Sequence, residues 1–184
     1  MREVYLDHAA TTYLDPRVKE AMEPYWAEEY GNPASLYRAG RKAKEALDGA
    51  RENVARILHC QPEEIIFTGG GTEAINLAIF GIANFYSNIH TNKLEFVGVS
   101  RGHLVTSKIE HHAVLHSMEA LAKEGFEVTY LDVDRHGLVN PEDVKKALRP
   151  DTILVAIMYA NNEIGTIEPI TEIGKIVREY RANK

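Results

Sequence analysis

The sequence has 184 residues, of which 45% are hydrophobic and 26% charged, as in a soluble globular domain with enough apolar side chains for one core. Its formal net charge is −6 without a long run of one sign, so we expect no nucleic-acid partner. The first residues show no signal pattern and no apolar run reaches membrane-spanning length, so we expect a cytoplasmic protein that does not bind a membrane.

Helices are predicted in the first sixty residues. Asp15 followed by Pro16 is a typical helix start, and a longer helix is predicted from Ser35 onward. The longer helix carries an apolar stripe at Ala43, Ala46, Leu47, Ala50, Val54 and Leu58. The single cysteine, Cys60, excludes an internal disulfide, and its place at a helix end is typical of an inert packing residue.

From Glu63 onward, short β-branched runs alternate with amphipathic stretches, which predicts βαβ units and a mainly parallel sheet. The predicted strands are 63–68, 103–107, 127–132 and 152–158. The predicted helices are 72–86, with Thr72 as N-cap, 112–124, 141–148, with Asn140 as N-cap, and 170–181. Residues 88–102 are predicted to form a surface loop. A doubly wound sheet would need a further strand after the last helix, so we expect a fold that is incomplete at the C-terminus.

A glycine-rich turn precedes the helix predicted from Thr72, in the segment FTGGGTEAINLA at 67–78. Glycines let backbone N–H groups approach an anion, and a helix N-terminus favours negative charge, so the turn predicts a phosphate site to which the Thr72 hydroxyl can also donate. The segment has neither the Walker lysine nor the GxGxxG spacing, which disfavours a nucleoside triphosphate or a dinucleotide. The alternative is a tight turn that needs a positive φ.

Histidines follow the second predicted strand, in SKIEHHAVLHS at 107–117. His112 and His116 share a helical face and could bind zinc, but no third ligand stands nearby, so no metal site is predicted. His111 lies at the carboxyl end of a strand, where open α/β sheets bind ligands, and is therefore the better functional candidate.

Two asparagines, Asn161 and Asn162, follow the last predicted strand and offer amide donors and acceptors at the same edge of the sheet. An ordinary turn is the alternative for this Asn-rich segment. Because all three segments follow strands of one sheet, the phosphate anchor, the histidine and the asparagines are predicted to converge on one ligand.

Six segments resemble, in order and spacing, the cysteine desulfurases of the NifS/IscS type. They are YLDHAATT, YGNPAS, FTGGGTEAINLAI, SKIEHHAVL, GFEVTYLDVDRHG and ILVAIMYANNEIGTIEPI. The resemblance implies the N-terminal half of a homodimeric enzyme that depends on pyridoxal 5′-phosphate (PLP), with the class V aminotransferase fold of PLP fold-type I. The implied fold is α/β, with a three-layer large domain on a mainly parallel sheet. Residues 1–14 would be an arm belonging to the small domain, and residues 15–184 the N-terminal part of the PLP-binding large domain.

The resemblance also assigns roles to individual residues. Gly71 and Thr72 would bind the cofactor phosphate, and His111 would stack on the pyridine ring and take part in proton transfer. Asn162 would hydrogen-bond the phenolic oxygen of the ring, and Asn32 would lie in the segment that meets the substrate carboxylate. The motifs support the first three contacts independently, whereas Asn32 rests on the resemblance alone.

Departures from the family pattern are also visible. Tyr37 stands where relatives commonly have a histidine, and Gly71 where the phosphate loop usually has an alanine. The family's aspartate for the ring nitrogen, its ring-oxygen glutamine, its Schiff-base lysine, a substrate-binding arginine and the nucleophilic cysteine all belong to a following segment that this sequence does not contain. Neither Lys108 nor Cys60 is expected to replace the missing groups, so we expect the chain to be inactive without a missing C-terminal half or partner subunit.

The function that the resemblance implies is conversion of L-cysteine to L-alanine, with sulfane sulfur passed to acceptors such as an iron–sulfur scaffold protein. One alternative is another class V PLP enzyme, an aminotransferase or a selenocysteine lyase. A second alternative is a non-enzymatic scaffold fragment for iron–sulfur assembly.

Overall fold

The computed structural model describes residues 3–91 and 101–183, with side chains given except at 87–91. The chain divides into two units, residues 1–67 and 68–184. This division does not coincide with the predicted boundary at residue 14. That boundary separates the small and large domains of the enzyme that the resemblance implies, and it stays a prediction.

The first unit is helical, with helices α1 (Pro16–Met22), α2 (Pro24–Ala27) and α3 (Arg38–Leu58) and a 3₁₀ turn at Pro62–Glu64. The predicted start of α1 is confirmed, because Asp15 Oδ1 accepts the N–H of Arg17 at 2.8 Å and so caps the helix.

The long helix α3 begins at Arg38 and not at Ser35 as predicted. Residues 32–35 instead form a turn, in which Ala34 N donates to Asn32 Oδ1 at 2.9 Å and Ser35 N donates to Asn32 O at 2.9 Å. An Asn side chain that bonds its own backbone competes with helix formation, which delays the start of α3 by three residues.

Residues 63–68 do not form the predicted strand, which is therefore wrong within the described residues. Gln61 N donates to Glu64 Oε2 at 2.7 Å in a capping box that closes the 3₁₀ turn. Ile65 has an extended backbone, but none of the described residues forms a strand that pairs with this segment. The segment instead contacts α3 through Arg51, which donates a hydrogen bond to Ile65 O and lies over the Phe67 ring. An extended segment becomes a strand only where a neighbour can pair with it.

The second unit contains a parallel sheet of three strands in the order β2-β1-β3. The strands are β1 (His103–Ser107), β2 (Glu127–Leu131) and β3 (Thr152–Ala156). The bounds of β1 match its prediction, and the other two are one and two residues shorter than predicted.

Helices cover both faces of this sheet: α4 (Gly71–Thr91), α5 (His112–Lys123), α6 (Pro141–Ala147) and α7 (Ile170–Ala182). Leu104 packs in one core with side chains of α4 and α5, whereas Val105, the next residue of β1, packs in a second core with side chains of α6 and α7. Successive residues of a strand point to opposite faces, so one central strand supports both layers. The predicted α/β, three-layer architecture is thereby confirmed.

Two predictions around α4 need correction. The helix begins at Gly71, so Thr72 lies in its first turn and is not the N-cap. The loop predicted at 88–102 is wrong up to Thr91, because no proline interrupts α4 and each added residue extends its hydrogen-bond ladder. The remainder of that loop, 92–100, lies outside the described residues.

The path of the chain creates a switch point in the sheet. Helix α5 leads from β1 to β2 on one face, and α6 leads from β2 across to β3 on the other. Open α/β sheets bind ligands at the carboxyl ends of the two strands where the winding reverses, here β1 and β3. His111 and Asn162 follow those two strands.

Candidate functional site at the switch point of the sheet

The glycine-rich turn leads directly into α4 and leaves space in front of the helix. A Cβ placed on Gly70 or Gly71 would meet no atom within 4 Å, and Thr72 is exposed. By helix geometry the N–H groups of the first turn have no intrahelical acceptor. The turn therefore presents backbone donors and a hydroxyl to an anion.

Glu73 shapes the same turn. Its Oε2 accepts the N–H of Gly69 at 2.7 Å, and the Thr68 hydroxyl donates to Gly70 O at 3.1 Å. These bonds hold the turn ahead of the helix without using the donors of Gly71 and Thr72.

His111 caps α5 and keeps its ring exposed. Its Nδ1 accepts the N–H of Ala113 at 3.0 Å, so in the neutral ring Nε2 carries the proton. The cap fixes the ring beside the carboxyl end of β1, with Nε2 free of that bond. His111 can therefore stack on a ligand ring and exchange a proton at Nε2.

The neighbouring histidines do not form a metal centre with any third side chain that the structure describes. The rings of His112 and His116 stack, with their centroids 5.3 Å apart. Among the described side chains, at 3–86 and 101–183, no three His, Cys, Asp or Glu residues are grouped so that they could hold a metal ion.

The two asparagines after β3 have different roles. Asn162 is exposed, whereas Asn161 is buried and structural. The Oδ1 atom of Asn161 accepts the N–H groups of Glu163 at 2.8 Å and Ile164 at 3.1 Å, which closes the loop. Its Nδ2 donates to Ile109 O at 3.0 Å, which ties the loop to the end of β1.

Glu110 makes the reciprocal connection from the β1 side. Its Oε1 accepts the N–H of Met158 at 2.8 Å and the hydroxyl of Ser107 at 2.8 Å. Burial raises the pKa of the Glu110 carboxyl, the two hydrogen bonds oppose that rise, and the charge of Glu168 adds to it.

A further side-chain bond connects the helix that follows the glycine-rich turn to the same assembly. Ser117 Oγ of α5 donates to Asn76 Oδ1 of α4 at 2.7 Å. Asn76 lies one helical turn after Thr72, and Ser117 lies on the helix that His111 caps. The segments carrying Thr72, His111 and Asn162 are thus joined by side-chain hydrogen bonds.

Asn32 belongs to the first unit and is described only there. It is exposed, and its Oδ1 accepts the N–H of Ala34. Its contact with the substrate carboxylate stays a prediction. Tyr37 is exposed at the start of α3.

Neither Lys108 nor Cys60 is predicted from the sequence to take part in the chemistry. Lys108 Nζ forms an ion pair with Asp132 Oδ1 at 2.5 Å. Cys60 follows the end of α3, where His59 adopts the left-handed conformation of a C-cap, as its sequence setting predicts.

Three residues of this assembly were not predicted from the sequence: Glu110, Ser117 and Asn76. Glu110 stands between a strand and a helix start, where a solvent-facing acid is the ordinary expectation. A buried partner such as Met158 N is 48 residues away in sequence, so no local signal identifies it.

The fold and the site define a class: an α/β protein with a glycine-rich turn before a helix, and with an exposed histidine and an exposed asparagine after the two strands at the sheet's switch point. Comparison with known proteins gives the family, because the class-V aminotransferase family matches residues 4–183. The chain belongs to that family. None of the described helices is long and apolar enough to cross a membrane.

Similar proteins include cysteine desulfurases. The chain is 53% identical to cysteine desulfurase IscS of Dictyoglomus turgidum, over 97% of this chain and 43% of that protein. It is 51% identical to cysteine desulfurase IscS of Clostridium botulinum, over 97% of this chain and 42% of that protein.

Solved structures of similar proteins have the same fold over the length of this chain. A NifS-like protein superposes with a TM-score of 0.87 at 40% identity, over 97% of this chain and 46% of the other. SspA in complex with cysteine gives a TM-score of 0.86 at 39% identity, over 96% and 48%. The chain thus spans less than half the length of the relatives it matches.

Proposed function

We propose that this chain forms the phosphate-binding and ring-binding part of a PLP-dependent cysteine desulfurase. The observation that carries the proposal is the linkage of three exposed groups, on Thr72, His111 and Asn162, to one edge of the parallel sheet. The family supports the choice of cofactor, and the similarity to IscS and NifS-like proteins supports the choice of reaction.

The residues fit the chemistry of PLP. The open turn at Gly70 and Gly71, with the Thr72 hydroxyl and the α4 N-terminus, suits a phosphate dianion. The exposed imidazole of His111 offers a flat face for the pyridine ring, and the Asn162 amide offers a donor for the phenolic oxygen. When bound, PLP supplies an electron sink for charge that develops on the substrate amino acid.

His111 has a defined part in this proposal. Its Nδ1 is committed to the Ala113 N–H, so proton exchange takes place at Nε2. General acid–base catalysis needs a side chain positioned to exchange a proton with the reacting group, and histidine is the residue most often used. His111 therefore orients the ring and carries a proton.

The proposed overall reaction converts L-cysteine to L-alanine and leaves the sulfur on a thiolate as a persulfide. Asn32 would meet the substrate carboxylate, and an iron–sulfur scaffold protein would accept the sulfur. We further propose a homodimer that acts in the cytoplasm.

A lysine for the cofactor aldehyde and a nucleophilic thiolate must also be present. The family match places neither role at Lys108, which forms an ion pair with Asp132, nor at Cys60, which follows the end of α3, so we assign neither role to them. We propose that both groups come from a segment or partner equivalent to the part of the relatives that this chain does not cover.

Binding of pyridoxamine 5′-phosphate to the chain tests the phosphate site, because this probe has no aldehyde and does not need a lysine. Thr72→Ala removes one hydrogen bond to a charged phosphate, so affinity should fall by about ten- to a hundredfold. Thr72→Ser keeps the hydroxyl and should bind like the parent. Equal affinities of the parent and Thr72→Ala would contradict the assigned phosphate site.

A further inference from the structure

Two buried residues stand immediately before the two residues proposed to contact the cofactor ring. Glu110 precedes His111, and Asn161 precedes Asn162. Glu110 is 6% exposed and Asn161 9% exposed, whereas both following residues are exposed. Each half of the site therefore has a buried polar residue next to an exposed one.

The bonds of this pair are reciprocal across the two strand ends. The Glu110 carboxylate, on the β1 side, accepts the backbone N–H of Met158, on the β3 side, at 2.8 Å. The Asn161 amide, on the β3 side, donates to the backbone carbonyl of Ile109, on the β1 side, at 3.0 Å. The regular ladder between the strands ends at Thr106 and Ala156, so these bonds continue the connection beyond the sheet.

We propose that Glu110 and Asn161 form a polar clasp that sets the separation and orientation of His111 and Asn162. Both are positioning residues, since neither is placed against the cofactor. This inference rests on the proposed function, because the ring contacts belong to it, but the clasp itself is a property of the chain alone.

The buried polar bonds of Glu110 and Asn161 are better suited to orienting the two strand ends than to stabilising the fold. An ionised carboxylate is costly to bury, and burial raises the pKa of Glu110. The same two segments could be joined at lower cost by apolar packing, but apolar contacts do not fix direction as hydrogen bonds do.

Three variants separate positioning from folding. Glu110→Ala removes the acceptor for Met158 N. Glu110→Gln removes the charge and keeps an Oε1 that can accept both of the present bonds, which go to a single oxygen. Thr106→Val is the control, because it removes a buried bond between the same strands, Thr106 Oγ1 to Ala156 O at 2.9 Å, inside the sheet and not at its end.

The first measurement needs no cofactor. Hydrogen–deuterium exchange of the full chain should show faster exchange of the Met158 amide and of the loop up to Gly165 in Glu110→Ala, while Glu110→Gln and Thr106→Val keep the parent's protection in that loop. Parent-like protection in Glu110→Ala, or equal loss in Thr106→Val, would overturn the clasp.

The second measurement compares the affinity for pyridoxamine 5′-phosphate with that for inorganic phosphate, which uses the α4 turn alone. Glu110→Ala should weaken the first by about tenfold and leave the second within about twofold, because only the ring contacts depend on the clasp. Glu110→Gln should restore the parent ratio. The positioning role would be overturned if Glu110→Ala weakened both affinities equally, or if Glu110→Gln did not restore the parent's ratio of the two affinities.

The two measurements also distinguish failure of the clasp from failure of the proposed function. If the parent binds pyridoxamine 5′-phosphate no better than inorganic phosphate, the proposed ring contacts of His111 and Asn162 are wrong. The exchange data still show whether Glu110 and Asn161 form the clasp. If Glu110→Ala does not fold, Asn161→Asp removes the amide donor to Ile109 O, keeps the oxygen that accepts from Glu163 and Ile164, and is followed by the same two readouts with the same outcomes required.

Discussion

At the scale of the residue, the His111 imidazole combines an observed capping bond with the chemical role that we propose for it. Its Nδ1 accepts the Ala113 N–H and so satisfies an otherwise unpaired donor of the α5 N-terminus. That bond also fixes the tautomer, which places the proton on Nε2. Structural and chemical roles of the ring are therefore separable by substitution.

Asparagine is as good an N-cap as any side chain but lacks a ring, so His111→Asn separates the two roles. We expect His111→Ala to lower the free energy of unfolding by about 1 kcal/mol and His111→Asn to lower it much less. Both variants should reduce turnover by roughly a hundredfold or more, with smaller effects on cofactor retention, because the phosphate contacts remain. The measurements are denaturant unfolding of the chain and, in a complex that supplies the missing groups, sulfide release from L-cysteine with an added thiol reductant that reduces the persulfide. Unchanged turnover in either variant would exclude His111 from the chemistry.

At the scale of the element, a buried histidine at the start of β1, His103, bonds this strand to both of its neighbours. His103 Nδ1 lies 2.8 Å from Thr152 Oγ1 of β3, and its Nε2 lies 2.8 Å from Thr129 Oγ1 of β2. One ring therefore joins all three described strands at the edge opposite the functional site. Burial, and secondarily the charge of Arg149, lowers the pKa of His103 below its usual 6.5.

The lowered pKa has a definite consequence for stability. Because the unfolded chain binds the proton more tightly, the free energy of unfolding should fall as pH drops below 6.5, until the folded pKa is passed. Thermal unfolding of the parent and of His103→Gln from about pH 8 to about pH 5 measures this contribution as the difference in slope. We expect the parent to lose more stability than the variant over that window. Parallel slopes would show that His103 does not contribute.

The sequence predicts some elements better than others for a physical reason. Strand β1 is short, β-branched and fully buried, so composition alone gives both its ends. Residues 65–68 have similar composition, but a strand also needs a partner, and pairing is a long-range property that the segment does not encode.

The same distinction applies to the site. Three glycines before a helix, and a histidine or an asparagine after a strand, are local signals that predict ligand contacts. Glu110 and Asn161 act through partners 48 and 52 residues away, which only the folded chain reveals.

At the scale of the whole molecule, one apolar surface of the second unit is unpaired. Strand β3 pairs only with β1 among the described residues, and it forms with α7 a groove lined by apolar side chains. The lining residues are Ile153, Leu154, Val155, Ile157, Ile170, Ile173, Gly174 and Val177. An unpaired strand edge beside an apolar groove invites association, and the relatives are more than twice as long as this chain. We expect the groove to receive the part of the enzyme that carries the lysine and the thiolate.

Complementation tests that expectation. When the C-terminal half of a similar desulfurase and a thiol reductant are supplied, the mixture should bind PLP and release sulfide from L-cysteine, whereas the chain with the reductant alone should not. Val177→Asp places a charge in the groove and should abolish assembly, while Arg178→Asp places the same charge at the next, exposed position of α7 and should not. Sedimentation measures assembly, and borohydride reduction with peptide mapping locates the lysine that holds the cofactor, which should lie outside this chain and not at Lys108. Equal assembly of the two Asp variants would exclude the groove as the docking surface, and an adduct on Lys108 would assign the missing lysine to this chain.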